Sequence, residues 1–286
     1  MDRLILKSPA KINLLLKILG KREDGYHEIV SLMQAIDLQD EIILEKRDRG
    51  VTISTDHPDC PADENNLAFR AARLFLEEFN IKEGVNINIR KKIPIAAGLG
   101  GGSSDAAATL KGMSRLFAPE VPATKLHHLA TGLGSDVPFF LGSGQALAKG
   151  RGEKLEPVTI FDDYWLVLVY PGFGVSTRWA YETFKISLTK IKKEFNLNIL
   201  ENRDDFFKAL PGFDNDLEEV VKERYPVIGQ IEDILTSSGA VKSSMSGSGP
   251  TVYSVFEQKP KAEEVARKIR RGDWEVFLTQ PIPVYV

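Results

Sequence analysis

The segment Pro94-Ile95-Ala96-Ala97-Gly98-Leu99-Gly100-Gly101-Gly102-Ser103-Ser104-Asp105 constrains the chain more than any other. Four glycines and two serines fall within the seven residues 98–104. Ahead of it, Val85-Asn86-Ile87-Asn88-Ile89 alternates with the period of a half-buried strand. Behind it, the alanine-rich stretch 105–116 predicts a helix. Glycines let a backbone approach a ligand closely and adopt positive φ, and a helix start offers unpaired N–H groups and the positive end of a dipole. Pro94, Ile95, Ala96, Ala97, Gly98, Leu99, Gly100, Gly101, Gly102, Ser103 and Ser104 therefore predict a phosphate cradle, with the two hydroxyls as added donors. A plain turn capped by Ser103 or Ser104 would not need so many glycines. A Walker A loop is excluded because no lysine stands in the segment, and a dinucleotide fingerprint because Ser103 occupies the place of its third glycine. Protein-kinase signatures are absent elsewhere.

At 286 residues, the chain suits one large or two moderate domains. A hydrophobic content of 43% and a charged content of 27% argue against disorder. The net charge of -3 supplies no basic field for nucleic acid. No apolar run approaches the roughly 20 residues of a membrane span, and the N-terminus lacks a signal-peptide pattern, so the cytoplasm is the expected compartment. The sole cysteine, Cys60, sits in a polar loop pattern and is expected to be incidental.

Strand patterns cover residues 4–7 and 12–19, broken at Ser8-Pro9-Ala10, and residues 41–45 and 51–55 predict a hairpin around 46–50. A helix is expected from Leu67, Ala71, Leu74, Phe75 and Phe79, capped by Asn65 or Asn66. A short helix over 124–131 is expected to close at Gly132, and 137–141 to begin a buried segment. A composition shift over 157–163 divides the chain into 1–160 and 161–286. Beyond it, strands are predicted at 164–170 and 251–256, helices at 177–184, 216–224, 228–237 and 261–270, and a glycine-serine turn at 243–250. The fold class is α+β with two lobes.

Three segments together resemble the GHMP kinases, the family of galactokinase, homoserine kinase and mevalonate kinase. They are Pro9-Ala10-Lys11-Ile12-Asn13-Leu14, the glycine segment itself, and Ser246-Gly247-Ser248-Gly249-Pro250-Thr251. The resemblance implies a ribosomal S5 domain 2-like N-terminal lobe and a ferredoxin-like C-terminal lobe, with the active site in the cleft between them. It implies ATP as phosphoryl donor, with Mg²⁺ bridging its phosphates. Two further stretches, Asp24-Gly25-Tyr26-His27 and Gly134-Ser135-Asp136-Val137-Pro138-Phe139-Phe140, resemble a branch whose acceptor alcohol carries cytidine diphosphate.

The resemblance implies Asp136 as the base for the acceptor hydroxyl, although Asp136 before Val137-Pro138 also suits a helix cap. It places the Lys11 ammonium beside Asp136, where the residue by itself reads as a solvated lysine at a strand end. Asn13, two positions on, would share its face of a strand. Tyr26 and His27 are implied in cytidine binding, and Tyr181, ten residues after Pro171, is a second stacking aromatic or a buried helix residue beside Trp179. No motif places a metal-ligating glutamate, so the ion is expected on the phosphates and on Ser103 or Ser104. His57, His127 and His128 lack zinc spacing. Three alternatives stay open: a kinase of the same family with another small alcohol such as mevalonate or homoserine, a silent sensor of the same fold, and an S5-like RNA-binding module. The last is discouraged by the acidic net charge.

Overall fold

The longest apolar stretches of the N-terminal half pair with each other. In the computed structural model, which describes residues 2–184, 200–269 and 272–282, β1 (Arg3–Lys21) and β2 (His27–Arg47) form a long antiparallel ribbon. The break expected at Ser8-Pro9-Ala10 is a register shift inside one strand. Proline cannot donate to the ladder, and a bulge accommodates it while the strand bends and continues. Two more register shifts follow, at Asn13/Leu15 and Ile18/Gly20.

The expected hairpin between 41–45 and 51–55 does not form. β4 (Gly84–Arg90) lies between those segments, antiparallel to β2 and parallel to β3 (Val51–Thr55). Its apolar face of Val85, Ile87 and Ile89 is fully buried, which a central strand requires and a two-stranded hairpin could not offer. Helix α1 (Leu67–Glu78) makes the crossover between β3 and β4, capped by the Asn66 side chain. β5 (Gln145–Gly150) pairs with the first half of β2, and β6 (Lys154–Pro157) completes a six-stranded sheet. Helices α1, α2 (Gly101–Phe117) and α3 (Ala123–Leu133) share one core with this sheet. Helix α3 runs through Gly132, where closure was expected, and ends at Gly134.

The second sheet is antiparallel, ordered β10 (Glu275–Thr279), β7 (Trp165–Tyr170), β9 (Val252–Phe256), β8 (Lys242–Met245). β7 shows why its sequence is continuously apolar. Leu166 and Leu168 join a core with Ile12, Leu14 and Ile36 of the first sheet, while Val167 and Val169 face the helices on the other side. Those helices include α6 (Glu218–Arg224), α7 (Val227–Ser237) and α8 (Lys259–Lys268); α4 (Thr177–Thr183) and α5 (Arg203–Ala209) complete the set described. Among the described residues, ten strands and eight α-helices make a two-lobed α+β molecule with core continuous between its sheets.

Candidate active site

The glycine segment is shorter as a loop than its composition suggests. Gly100, with φ of 71°, is already the N-terminal cap of α2, and Gly101, Gly102 and Ser103 form its first turn. Their N–H groups have no acceptor one turn earlier within the helix and open toward the cleft. Ser103 lines that cleft, but Ser104 does not, which corrects its assignment to the cradle. Successive helix positions turn by about 100°, and the Ser104 hydroxyl is buried without a hydrogen-bond partner on a different face. It lines a separate pocket of about 280 Å³.

The loop is clamped from both lobes. The Lys11 N–H in β1 donates to the Leu99 carbonyl at 2.9 Å. Ser246 Oγ donates to the Gly98 carbonyl at 3.0 Å and accepts from the Asn13 N–H at 3.3 Å. A Cβ on Gly98, at φ of 77°, would lie 2.1 Å from the Ser246 carbonyl oxygen, so glycine is obligatory there. Ala96 takes φ of 53°, rare for a residue with a side chain, and its carbonyl is held by the Val175 N–H of the second lobe. Asn215, which sequence reasoning missed, donates to the carbonyls of Met245 and Gly247 at 2.8 and 2.7 Å. Its signal was faint: an asparagine before Asp-Leu-Glu reads only as a helix cap.

Lys11, Asn13 and Asp136 come together. Lys11 Nζ lies 3.7 Å from the Asp136 carboxylate and donates to Asn13 Oδ1 at 2.5 Å. The Asn13 amide donates to Ser31 Oγ at 2.7 Å, and Ser31 donates on to the Leu15 carbonyl, which fixes the amide so that its oxygen faces the lysine. Asp136 caps nothing: the short 3-10 turn Pro138–Leu141 begins after Val137, without a side-chain cap. Lys11 is buried where a solvated strand-end lysine was the alternative, while the Asp136 side chain stays 37% exposed. Burial pushes the Lys11 ammonium below its ordinary value, and the Asp136 charge and hydrogen bond only partly offset this.

His27 and Tyr181 meet across the lobes, with ring centroids 5.4 Å apart and planes tilted by 33°. Tyr181 therefore belongs to the cleft. Burial and the nearby Lys21 lower the His27 pKa, leaving a neutral ring with one donor and one acceptor at pH 7. Tyr26 is more exposed and lies under the Arg151 guanidinium, 4.8 Å from its ring centroid.

The cleft joining these groups encloses about 1170 Å³, more than one small ligand fills. At the far side of the glycine segment it is lined by Cys60, Pro61, Asn65, Asn66, Leu67 and Lys91, a wall the sequence did not disclose. Lys91 Nζ is buried between Asp40 at 2.5 Å and Asp105 at 3.0 Å, and Ser8 Oγ donates to Asp105 at 2.7 Å. Burial pushes the Asp105 carboxyl up to about 7, with Lys91 opposing the rise and Asp40 adding to it. Cys60 is buried, and burial raises its thiol pKa, in keeping with an inert thiol. Among the described residues no group of three or more His, Cys, Asp or Glu could cage a metal, and no helix is long and apolar enough to cross a membrane.

Family models for the GHMP kinases N terminal domain and the GHMP kinases C terminal match residues 66–144 and 193–273. A 4-diphosphocytidyl-2-C-methyl-D-erythritol kinase of Acetivibrio thermocellus is 41% identical over 283 residues, covering 99% of this chain and 100% of the relative. A crystal structure of 4-(cytidine 5'-diphospho)-2C-methyl-D-erythritol kinase superposes with a TM-score of 0.82 at 33% identity, over 97% of this chain and 99% of that one. A homoserine kinase from Cytophaga hutchinsonii, with a TM-score of 0.76 over 99% and 98% of the two chains but 20% identity, shares the fold alone. With this identity sustained from end to end, the chain belongs to the 4-diphosphocytidyl-2-C-methyl-D-erythritol kinase family of the GHMP kinases.

Proposed function

We propose that the chain transfers the γ-phosphoryl group of ATP to the 2-hydroxyl of 4-diphosphocytidyl-2-C-methyl-D-erythritol, a step of the non-mevalonate isoprenoid route. The observation that carries the reading is Lys11 and Asp136 3.7 Å apart beside the opening turn of α2, in a cleft roomy enough for two substrates. Phosphoryl transfer asks a protein chiefly for positioning and for charge stabilisation. The turn at Gly101–Ser103 holds the donor phosphates, Asp136 takes the proton of the acceptor hydroxyl, and the Lys11 ammonium stabilises the oxygen as it becomes negative. His27 and Tyr181 hold the cytosine, one by hydrogen bonding and the other by stacking. Tyr26 flanks them, and Asn13 orients Lys11 and the acceptor.

The donor set suits Mg²⁺ arriving on the ATP phosphates, with the Ser103 hydroxyl as the protein oxygen at hand, because both Asp105 oxygens are already engaged by Ser8 and Lys91. When bound, the ion neutralises charge on the transferring phosphate. We place the reaction in the cytoplasm, where ATP is the ready donor.

ADP release in a panel of acceptors tests the reading. The cytidine diphosphate alcohol should support turnover with ATP and Mg²⁺, while mevalonate and homoserine should not. Turnover with mevalonate or homoserine alone would move the chain to another acceptor, and nucleotide binding with no turnover on any would make it a sensor.

Lys11 adds a pH dependence. Its ammonium loses its proton below the ordinary lysine value of 10.5, so kcat is expected to fall on the alkaline side with an apparent pKa below 10.5. Because the folded-state pKa is lowered, the charge costs stability at neutral pH, and the cost fades as pH rises through that pKa. Lys11→Met should therefore lose activity without losing thermal stability. An unmoved alkaline limb in Lys11→Arg would detach that limb from Lys11.

A further inference from the structure

The acceptor proposed above carries two phosphates between the base and the alcohol, and nothing in the cleft so far described neutralises them. Three of the cations lining the cleft are engaged. Lys11 is held by Asn13 and Asp136, Lys91 by Asp40 and Asp105, and Arg178 donates to Glu182 at 2.9 Å. Arg151 differs: among the described residues no carboxylate lies within ion-pair distance of its guanidinium. The carboxylate of Asp24 feels the Arg151 charge but is itself bonded to Arg22, and that of Glu153 is taken by the Arg151 backbone N–H.

Arg151 is also placed between the two ends of the acceptor. It follows β5 in a tight turn whose backbone is fixed by Glu153, which accepts from the Arg151 N–H at 2.6 Å, and by the Gly152 N–H bond to the Lys149 carbonyl. Its guanidinium lies over the Tyr26 ring, next to His27. The neighbouring Gly152 abuts the other end: a Cβ there would sit 3.8 Å from Asp136 Oδ1. An arginine between a base-binding pair and a proton acceptor, stacked on one face and free at its edge, presents its fork of N–H donors to phosphate oxygens.

We propose that Arg151 is a specificity-determining residue that binds the diphosphate linker of the acceptor. The proposal rests on the cytidine reading of His27 and Tyr181, and its test separates the two. Cytidine and cytidine 5'-diphosphate would be titrated against the wild-type enzyme and Arg151→Gln, with thermal unfolding confirming the fold of the variant. The expected result is at least about tenfold weaker cytidine diphosphate binding in Arg151→Gln, with cytidine changed less than about twofold. The KM for the full acceptor should rise in step with that loss, while kcat and the KM for ATP stay near wild type. Arg151→Lys, which keeps the charge but not the fork, should fall between. Equal weakening of both ligands would mean that Arg151 merely supports Tyr26, and would overturn the proposal. So would unimpaired cytidine diphosphate binding in the variant. A wild-type enzyme that binds neither ligand would overturn the cytidine reading and the linker assignment together.

Discussion

Asp136→Asn is expected to lower kcat by about 10²–10⁴-fold, the usual worth of a positioned base. Asparagine keeps the volume and can still meet the Lys11 ammonium 3.7 Å away, but it takes no proton. Asp136 is partly exposed and caps no helix, so the fold should survive, although the buried Lys11 ammonium loses the charge that partly offsets its burial and some stability is lost with it. The KM for ATP should change little, because the proposed donor site is backbone at the start of α2, apart from Asp136. Steady-state kinetics beside a thermal melt separates these effects. A folded variant with near-normal kcat would remove Asp136 from the chemistry.

Lys91→Met has the largest expected effect on stability. Lys91, Asp40 and Asp105 are all almost wholly buried, and one ammonium serves two carboxylates. Removing it leaves two buried carboxyls without a counter-ion, one of which must take up a proton while the other stays buried and unpaired, a loss of about 3–5 kcal/mol by analogy with broken buried ion pairs. The damage should reach the active site, because Asp40 also accepts from the Lys92 and Ile93 N–H groups at 2.6 and 2.9 Å and so fixes the chain as it enters the glycine segment. Urea unfolding measures the loss. Adding Asp105→Asn to Lys91→Met should recover part of it by removing one of the two uncompensated carboxyls. Wild-type stability in Lys91→Met would contradict this account of the network.

The sequence disclosed features that are local. Glycine density, helix periodicity and the Lys11–Asn13 spacing are read within a few residues, and each corresponds to something in the structure. Features that depend on distant partners were hidden. Residues 41–55 read as a hairpin because nothing local announces that β4 will insert between its arms. Pro9 read as a break because the second strand that carries β1 across it lies some thirty residues away. Lys91 followed by Lys92 has the composition of a solvated turn, and only the fold delivers Asp40 and Asp105 to it. Asn215 was missed in the same way, since its two acceptors stand about thirty residues on in the glycine turn. Ser104 failed for the opposite reason. Adjacent serines look equivalent in a motif, yet a helix sends neighbours to different faces, and only Ser103 reaches the cleft.

In the proposed reaction, Lys11, Asp136 and the start of α2 move a phosphoryl group onto an alcohol carried by cytidine diphosphate. Phosphorus NMR of the reaction with ATP, Mg²⁺ and 4-diphosphocytidyl-2-C-methyl-D-erythritol tests it most directly. One new phosphomonoester resonance is expected, coupled to carbon 2 of the methylerythritol and equal in amount to the ADP formed, with the diphosphate pair intact. ADP matched by free phosphate, or a phosphoryl group on any other position, would contradict it.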